Sequence, residues 1–361
     1  MKKILALLLF SVLLASSFVS AGLKIDENKS QKLSIKESDD YYFIQITDTH
    51  ILHEKFDDNK TNINILKLVL KKINQLKEKP KFVVMTGDLV EWGGEGDTGK
   101  LNYQAFKDCI HENNGEFYID PEHIIPIYCI PGNNDYLWES SLENYHECIS
   151  DQDKYVITYR DATLIFMDSG YNYKKNPVDW FRVKGSGLSD EDIEWLENQL
   201  EKCTTKHKIV LMHHPAVNGR DALGEMSSVI AKNRGNFVNL CEEYNVEVVL
   251  SGHTHTSRTY DKEENRYQDY PLNCSKYSTL YVQSEDCTED AYYRNISFVN
   301  GNVYIGRNVK IEFDKKDSRD LPICNFLKSK LNLFTVFYNI RQLLMKVQKD
   351  LFINPNMARV N

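Results

Sequence analysis

Residues 41–88 read YYFIQITDTHILHEKFDDNKTNINILKLVLKKINQLKEKPKFVVMTGD and contain two apolar, β-branched runs separated by a helical pattern. The runs YYFIQIT (41–47) and FVVMT (82–86) predict β-strands. Between them, apolar residues recur every three or four positions over residues 62–78, which predicts a helix with one apolar face. A strand, a helix and a strand in this order predict a βαβ unit with parallel strands.

The same alternation continues along the chain. Further apolar runs predict strands at residues 124–130, 163–169, 208–212 and 246–250. A helix is expected over residues 190–201, where Ser189 and Asp192 have the spacing of a capping box. Near-continuous apolar strands are typical of a sheet that is covered on both faces. Beyond Val246, the runs YSTLYVQS, RNISFVN and NVYIGR predict antiparallel strands that complete an α/β fold.

The two ends of the chain differ from this middle part, residues 41–312. Residues 1–21 consist of a basic start, an apolar run and small residues, which predicts a cleaved signal peptide. The protein is therefore expected to be exported, with an extracellular, lysosomal or vacuolar, or periplasmic location. An uncleaved membrane anchor is the alternative. Residues 22–40 are polar and predict a linker. Residues 313–361 form a basic extension, and its apolar residues are spaced as on one helix face, which fits either packing on the acidic domain or peripheral membrane contact.

Composition and charge limit the possible partners. The chain has 361 residues, of which 42% are hydrophobic and 27% charged, as in ordinary globular proteins. Removing residues 1–21 leaves 42 basic against 52 acidic groups, a net charge of about −10. Such a charge disfavours binding to nucleic-acid backbones, so no nucleic-acid partner is expected. Eight cysteines in an exported chain predict disulfides, and Cys274 with Cys287 would close the shortest plausible loop.

Polar clusters follow five of the apolar runs, at the edge where open α/β sheets place their ligand sites. The clusters are Asp48-Thr49-His50, Gly87-Asp88, Gly132-Asn133-Asn134-Asp135, His213-His214-Pro215 and Gly252-His253-Thr254-His255. Taken singly, each cluster is a weak signal, because a strand-end Asp or His is more often a cap or a satisfied polar group. Together, their nitrogen and oxygen donors predict a site for zinc, manganese or iron.

In this order, the motifs D-x-H, G-D, G-N-x-D, H-H-P and G-H-x-H resemble those of the calcineurin-like metallophosphoesterase superfamily, over residues 41–312. The resemblance implies a four-layer α/β/β/α fold, two divalent metal ions and a metal-bridging hydroxide that attacks phosphorus. It also implies the ligands: Asp48, His50 and His255 for one metal, Asn133, His213 and His253 for the other, and Asp88 as the bridge. His213 rather than His214 is expected to be a ligand, because the family places its histidine at the end of the strand.

Two departures from the family pattern bear on the chemistry. Most members have a histidine where this chain has Asn134, and an amide can donate a hydrogen bond but cannot deliver a proton. His214, His53 and Asp135 are the candidates that could protonate the leaving group instead. Purple acid phosphatases have a tyrosine where this chain has Glu91, so a purple ferric site is not expected.

Three functions are compatible with these residues. The leading interpretation is an exported hydrolase that acts on small-molecule phosphomonoesters or phosphodiesters. A catalytically weakened, metal-dependent phosphate- or ligand-binding protein is the second, and Asn134 motivates it. A nuclease is the third, and the acidic charge disfavours it. Trp92 and the aromatic residues at 136–138 lie beside the predicted metals, where they could pack on a substrate alcohol or simply cover the loops.

Overall fold

The computed structural model describes residues 40–57, 61–94, 96–113, 115–120, 124–136, 141–170, 187–218, 229–288 and 290–312. The predicted signal peptide, all but one residue of the predicted linker and the basic extension lie outside these residues. The division of the chain at residues 21, 40 and 312 therefore stays a prediction. Within the described ranges, no helix combines the length and the apolar character that crossing a bilayer requires.

Strands of the described residues form two sheets. Their bounds are β1 (Tyr41–Ile46), β2 (Val83–Thr86), β3 (His111–Asn113), β4 (Glu116–Tyr118), β5 (Pro126–Ile130), β6 (Lys154–Tyr159), β7 (Ala162–Met167), β8 (His207–Leu211), β9 (Val248–Ser251), β10 (Arg258–Tyr260), β11 (Leu272–Asn273), β12 (Leu280–Gln283), β13 (Tyr292–Val299) and β14 (Asn302–Lys310). The helices are α1 (Thr61–Asn74), α2 (Gly96–Lys107), α3 (Asn133–Tyr136), α4 (Glu143–Cys148), α5 (Asp190–Lys202) and α6 (Arg234–Glu243).

The strand order in the larger sheet is β11-β14-β13-β1-β2-β5-β4-β3, and in the smaller sheet it is β10-β12-β9-β8-β7-β6. The predicted βαβ unit is confirmed, because β1 and β2 pair in parallel on either side of α1. β13 and β14 are antiparallel, as predicted. For β12 the prediction holds for its antiparallel pairing with β10 but not for its pairing with β9, to which β12 runs parallel. The chain between β9 and β12 is long enough for a crossover connection, which parallel pairing requires.

Three apolar layers separate the two sheets and the helices. Phe43 of β1 and Leu211 of β8 lie in the core between the sheets. Ile44 faces the other way and packs with α1 and α2, whereas Val210 packs with α5 and α6. Side-chain alternation along each strand therefore buries both faces of both sheets. The predicted four-layer α/β/β/α class is confirmed.

The helices differ in how well the sequence predicts their ends. The Ser189 hydroxyl accepts a hydrogen bond from the Asp192 N–H at 2.9 Å, and the Asp192 carboxylate accepts one from the Ser189 N–H at 2.9 Å, so the predicted capping box is confirmed. α1 ends at Asn74, four residues before its predicted end. There the Leu76 N–H donates to the Ile73 carbonyl, and this tighter turn ends the helix.

The predicted disulfides are not formed in the described part of the chain, where all seven cysteines are free thiols. Cys274 lies in the core between the sheets, whereas Cys287 lies with the helices on the outer face of the larger sheet. The sheet backbone therefore separates the two side chains that would have closed the shortest loop. Cys324 lies outside the described residues.

Candidate metal centre

Loops that follow β1, β2, β5, β8 and β9 meet at one edge of the sandwich and bring the predicted ligands together. Donor atoms of Asp48, His50 and His255 all lie within 4.8 Å of one another. A second group with donor atoms within the same distance consists of Asp48, Asp88 and His213. A third consists of His213, His214 and His253. Both of the ligand sets implied by the sequence resemblance are thus assembled around Asp48 and Asp88.

Asp88 lies between the two sets. Its Oδ2 atom is 3.5 Å from His50 Nε2, and its Oδ1 atom is 3.3 Å from His213 Nε2. Asn133 Oδ1 lies 3.2 Å from the same His213 nitrogen, and Asp48 Oδ1 lies 3.3 Å from His255 Nε2. A carboxylate with one oxygen toward each set has the geometry that a bridging ligand needs.

The backbone at the predicted ligands adopts uncommon conformations. Five of the predicted ligands have left-handed φ angles: Asp48 at 53°, His50 at 43°, Asp88 at 49°, His253 at 67° and His255 at 49°. Such conformations are uncommon outside glycine and cluster at functional sites. Gly252 allows a further close approach, since a Cβ atom there would lie 1.9 Å from Thr47 Oγ1 and 2.4 Å from Asp48 Oδ2.

Two of the histidines form a hydrogen bond through their second ring nitrogen, and a third faces a carboxylate there. His50 Nδ1 lies 2.7 Å from Glu91 Oε2, and His255 Nδ1 lies 3.6 Å from Asp286 Oδ2. His213 Nδ1 lies 2.8 Å from the Thr86 carbonyl, which can only accept, so the proton of that ring sits on Nδ1. These partners leave the Nε2 atoms to face the two carboxylates, as metal-binding histidines require.

The sequence did not reveal Glu91 or Asp286 as orienting residues. In the sequence, Glu91 stands out only because it takes the place of a tyrosine. Asp286 follows β12, whose carboxyl end lies at the same edge as those of β8 and β9. Its position after a strand is the same signal that identified the ligands, although it occurs in no motif of the family.

Electrostatics favour cations at this place. Burial raises the pKa of Asp48, but the facing His255 and His213 outweigh it and bring the pKa below its ordinary value. Burial also raises the pKa of Asp88, but His213 and His50 outweigh it and hold that pKa well below its usual range. Two ionised carboxylates are therefore buried together, Asp48 at 0% and Asp88 at 1% exposure. Buried charges of one sign need a counter-charge.

The donor set fits divalent ions. His50 Nε2 is buried and has no hydrogen-bond partner among the described residues. In its neutral form with the Nδ1 proton directed to Glu91, the His50 ring presents an Nε2 lone pair to carboxylate oxygens at 3.5 and 3.9 Å. Two lone pairs facing each other repel, whereas a cation between them is bound by both. Imidazole, carboxylate and amide donors suit zinc, manganese or iron.

Residues 41–257 match the model of the calcineurin-like phosphoesterase family. The chain belongs to the calcineurin-like phosphoesterase family. Membership confirms the resemblance seen in the sequence and makes the chain a metal-dependent phosphoester hydrolase.

Among its relatives, a probable glycerophosphodiester phosphodiesterase of Arcobacter nitrofigilis is 29% identical over 228 residues, which cover 60% of this chain and 72% of that protein. The 3',5'-cyclic adenosine monophosphate phosphodiesterase of Escherichia coli K12 is 24% identical over 238 residues, or 65% of this chain and 76% of that protein. Among solved structures, a purple acid phosphatase from yellow lupin aligns with a TM-score of 0.48 at 13% identity, covering 78% of this chain and 55% of that one.

Asn134, which stands where most of this family has a histidine, contacts Asp88 twice. Its backbone N–H donates to Asp88 Oδ1 at 2.7 Å, and its side-chain Nδ2 donates to Asp88 Oδ2 at 2.7 Å. Asn134 thus holds the central carboxylate in place. It can still donate its second amide proton, but it has no acidic proton to give.

Asp135 is engaged in holding its own loop. Its Oδ1 accepts from the Tyr103 hydroxyl at 2.8 Å, and its Oδ2 accepts from the Gly132 N–H at 2.7 Å and the Leu89 N–H at 3.2 Å. Burial, together with the charge of Asp88, raises the pKa of this carboxyl to about 7. Because both oxygens face the protein, the geometry argues against the predicted role of Asp135 as proton donor.

The two histidines considered as proton donors are also poorly suited to that role. His214 Nδ1 lies 2.9 Å from Ser169 Oγ, and burial with the neighbouring His253 keeps the pKa of His214 well below its ordinary value. A neutral imidazole is a weak acid. His53 Nδ1 accepts from the Lys55 N–H at 3.1 Å within its own loop. The role of His214, His53 or Asp135 as the proton donor stays a prediction.

The aromatic residues beside the centre differ in position. Tyr136 is fully buried, and its hydroxyl donates to the Asp168 carboxylate, so its ring packs beneath the loop. Trp92 is half-buried and has a left-handed φ of 52°. Trp138 lies outside the described residues. Tyr136 thus has a packing role in the loop. The roles of the two tryptophans stay predictions.

Proposed function

We propose that this family member is an exported hydrolase of small phosphodiesters that uses two divalent metal ions. The observation that carries the proposal is the position of Asp88, whose two oxygens face His50 Nε2 at 3.5 Å and His213 Nε2 at 3.3 Å. Phosphodiesters are favoured over monoesters because the two relatives described above are named as phosphodiesterases. Export rests on the N-terminal sequence alone.

The proposed ligands divide into two sets that share Asp88: Asp48, His50 and His255 on one side, and Asn133, His213 and His253 on the other. When bound, two divalent ions supply Lewis-acid chemistry, because they lower the pKa of a coordinated water and neutralise charge on phosphoryl oxygens. The chain itself positions the donors. Glu91 and the Thr86 carbonyl fix the rings of His50 and His213, and Asn134 fixes the central carboxylate.

The leaving group would depart without a proton from a protein acid. Asn134 has no acidic proton, and both oxygens of Asp135 are held by other groups. Substrates with acidic alcohols should therefore react faster than those with alkyl alcohols, because an alkoxide of low basicity leaves without protonation.

Turnover of matched substrates tests the proposal. The full chain, loaded with zinc, manganese or iron in turn, is assayed on bis(4-nitrophenyl) phosphate and on 4-nitrophenyl phosphate, then on glycerophosphodiesters and cyclic nucleotides. We expect diester turnover to exceed monoester turnover. An Asp88→Asn variant of similar shape should lose turnover together with bound metal, because the amide removes the charge that both sets share.

Each part of the proposal can fail separately. Faster monoester turnover would contradict the assignment of substrate class. Phosphate binding without turnover of any ester would identify the metal-dependent binding protein instead. N-terminal sequencing of the protein recovered from its native host tests export, since a mature chain that begins at Gly22 is expected and one that retains Met1 would contradict cleavage.

A further inference from the structure

A buried arginine lies behind the candidate metal centre. Arg294 is on β13 opposite Gln45 of β1, on the face that points between the two sheets. It is 0% exposed and is the largest of the fully buried side chains in the described residues. A fully buried arginine is rare unless its charge is paired. Its position therefore calls for a physical explanation.

The hydrogen-bond partners of the guanidinium are neutral. Nε donates to Ser284 Oγ at 2.8 Å, and Nη1 donates to the Gly306 carbonyl at 2.6 Å. Nη2 donates to Ser257 Oγ at 2.8 Å and to the Gln283 carbonyl at 3.2 Å. The Tyr270 ring adds a cation–π contact, 5.3 Å from the guanidinium carbon. Planar N–H groups thus join several segments of chain at fixed angles.

The segments joined directly by Arg294 include two that lead to the centre. Ser257 is two residues beyond His255, and Ser284 is two residues before Asp286. Asp286 Oδ2 faces His255 Nδ1 at 3.6 Å, so the relative position of these two loops sets that contact. One guanidinium therefore links the loop of a proposed ligand to the loop of its orienting carboxylate.

A chain of hydrogen bonds extends this link to other ligand loops. Ser284 Oγ donates to Gln45 Oε1 at 2.8 Å. Gln45 lies three residues before Asp48. Gln45 Nε2 then donates to Thr86 Oγ1 at 2.9 Å and to the Ser251 carbonyl at 3.2 Å. Ser251 is two residues before His253, and the Thr86 carbonyl holds His213. The network is buried and directional, so a change at Arg294 reaches every loop in it.

We infer that Arg294 is a positioning residue for the metal centre, which sets the loops of Asp48, His253, His255 and Asp286 relative to one another. The inference rests on the proposed function, because it takes those residues as ligands and as an orienting group. A lysine could supply the charge, but its single ammonium group could not reach acceptors on three different segments.

Metal affinity of Arg294→Met and Arg294→Lys tests the inference. Dissociation constants for zinc are measured by competition with a chromophoric chelator, using the full chain. Both variants should bind zinc at least roughly tenfold more weakly, the usual effect of removing support behind metal ligands. The rise in unfolding temperature on adding zinc should also shrink, because stabilisation by a ligand depends on its affinity.

Phe298→Leu is the matched control. Phe298 lies on the same strand and in the same core, 2% exposed and stacked on Tyr41 at 4.2 Å, but toward the opposite end of β13. It should lower the unfolding temperature of the metal-free protein and leave zinc affinity unchanged. Zinc affinity of the Arg294 variants within twofold of the unaltered protein would overturn the inference.

Two further results keep the test decisive. If the Arg294 variants do not fold, Ser257→Ala removes one acceptor at a partly exposed position, and a smaller loss of zinc affinity is expected, whereas unchanged affinity there would also overturn the inference. If the unaltered protein binds no metal ion at all, the proposed function fails. If it binds zinc and the variants bind equally well, only the role of Arg294 fails.

Discussion

Replacing Glu91 with glutamine should weaken metal binding at the set formed by Asp48, His50 and His255. Glu91 Oε2 lies 2.7 Å from His50 Nδ1, and the two side chains are only 14% and 5% exposed. The change turns a charge-assisted hydrogen bond into a neutral one, a loss of about 1–1.5 kcal/mol. Each 1.4 kcal/mol is about tenfold in affinity. Roughly tenfold weaker binding of one metal ion is therefore expected.

Glu247→Gln is a control with the same local geometry. Glu247 Oε2 also lies 2.7 Å from a buried histidine nitrogen, His207 Nδ1, but this pair is outside the candidate centre. Competition with a chromophoric chelator, followed by metal analysis of the dialysed protein, gives the affinity of each variant. Equal zinc affinity in Glu91→Gln and in the control would show that Glu91 does not orient His50 for metal binding.

Three more outcomes can be measured. Diester turnover should fall steeply as the leaving group becomes less acidic. Asn134→His should flatten this dependence, because general acid catalysis raises the rate roughly 10²- to 10⁴-fold. A shallow dependence in the unaltered protein would show that another residue already acts as the acid. Asp192→Ala should lower the free energy of unfolding by about 1 kcal/mol at pH 7 through loss of the capping box. Burial raises the pKa of Asp192, but hydrogen bonds with Lys154 and Ser189 outweigh it and lower that pKa below its ordinary value. Urea titrations should therefore show the difference in unfolding free energy fading as the pH falls through the lowered pKa of Asp192. Denatured protein without reductant should expose at least the seven thiols that are free in the described residues, and a count below seven would indicate a cross-link.

The sequence predicted the fold well because the pattern of buried residues along a strand or helix is local. The run at 41–47 and the helical spacing after it identified β1 and α1, and the capping box identified the start of α5. Strand direction is not local. The run that became β12 pairs in parallel with β9 and antiparallel with β10, and its composition does not show which neighbour lies on which side.

From the sequence, the proposed ligands could be predicted to lie together, but the groups behind them could not. Asp88 and His213 stood out because motifs at strand ends place them. Glu91, Asp286 and Arg294 act through side-chain contacts with residues 41, 31 and 10 positions away, and no motif in the sequence encodes such contacts. Within the described residues the predicted disulfides are not formed, and an even number of cysteines says nothing about which face of a sheet each one occupies.

The left-handed backbone at the ligands has an evolutionary consequence. A non-glycine residue in that conformation costs roughly 1–2 kcal/mol, and five of the proposed ligands adopt it. Summed over the five positions, this cost is comparable with the free energy of unfolding of a whole domain. A descendant that no longer needed metal would gain stability by replacing Asp48 or His253 with glycine. The cost in stability at these positions is thus a consequence of the site rather than of the fold.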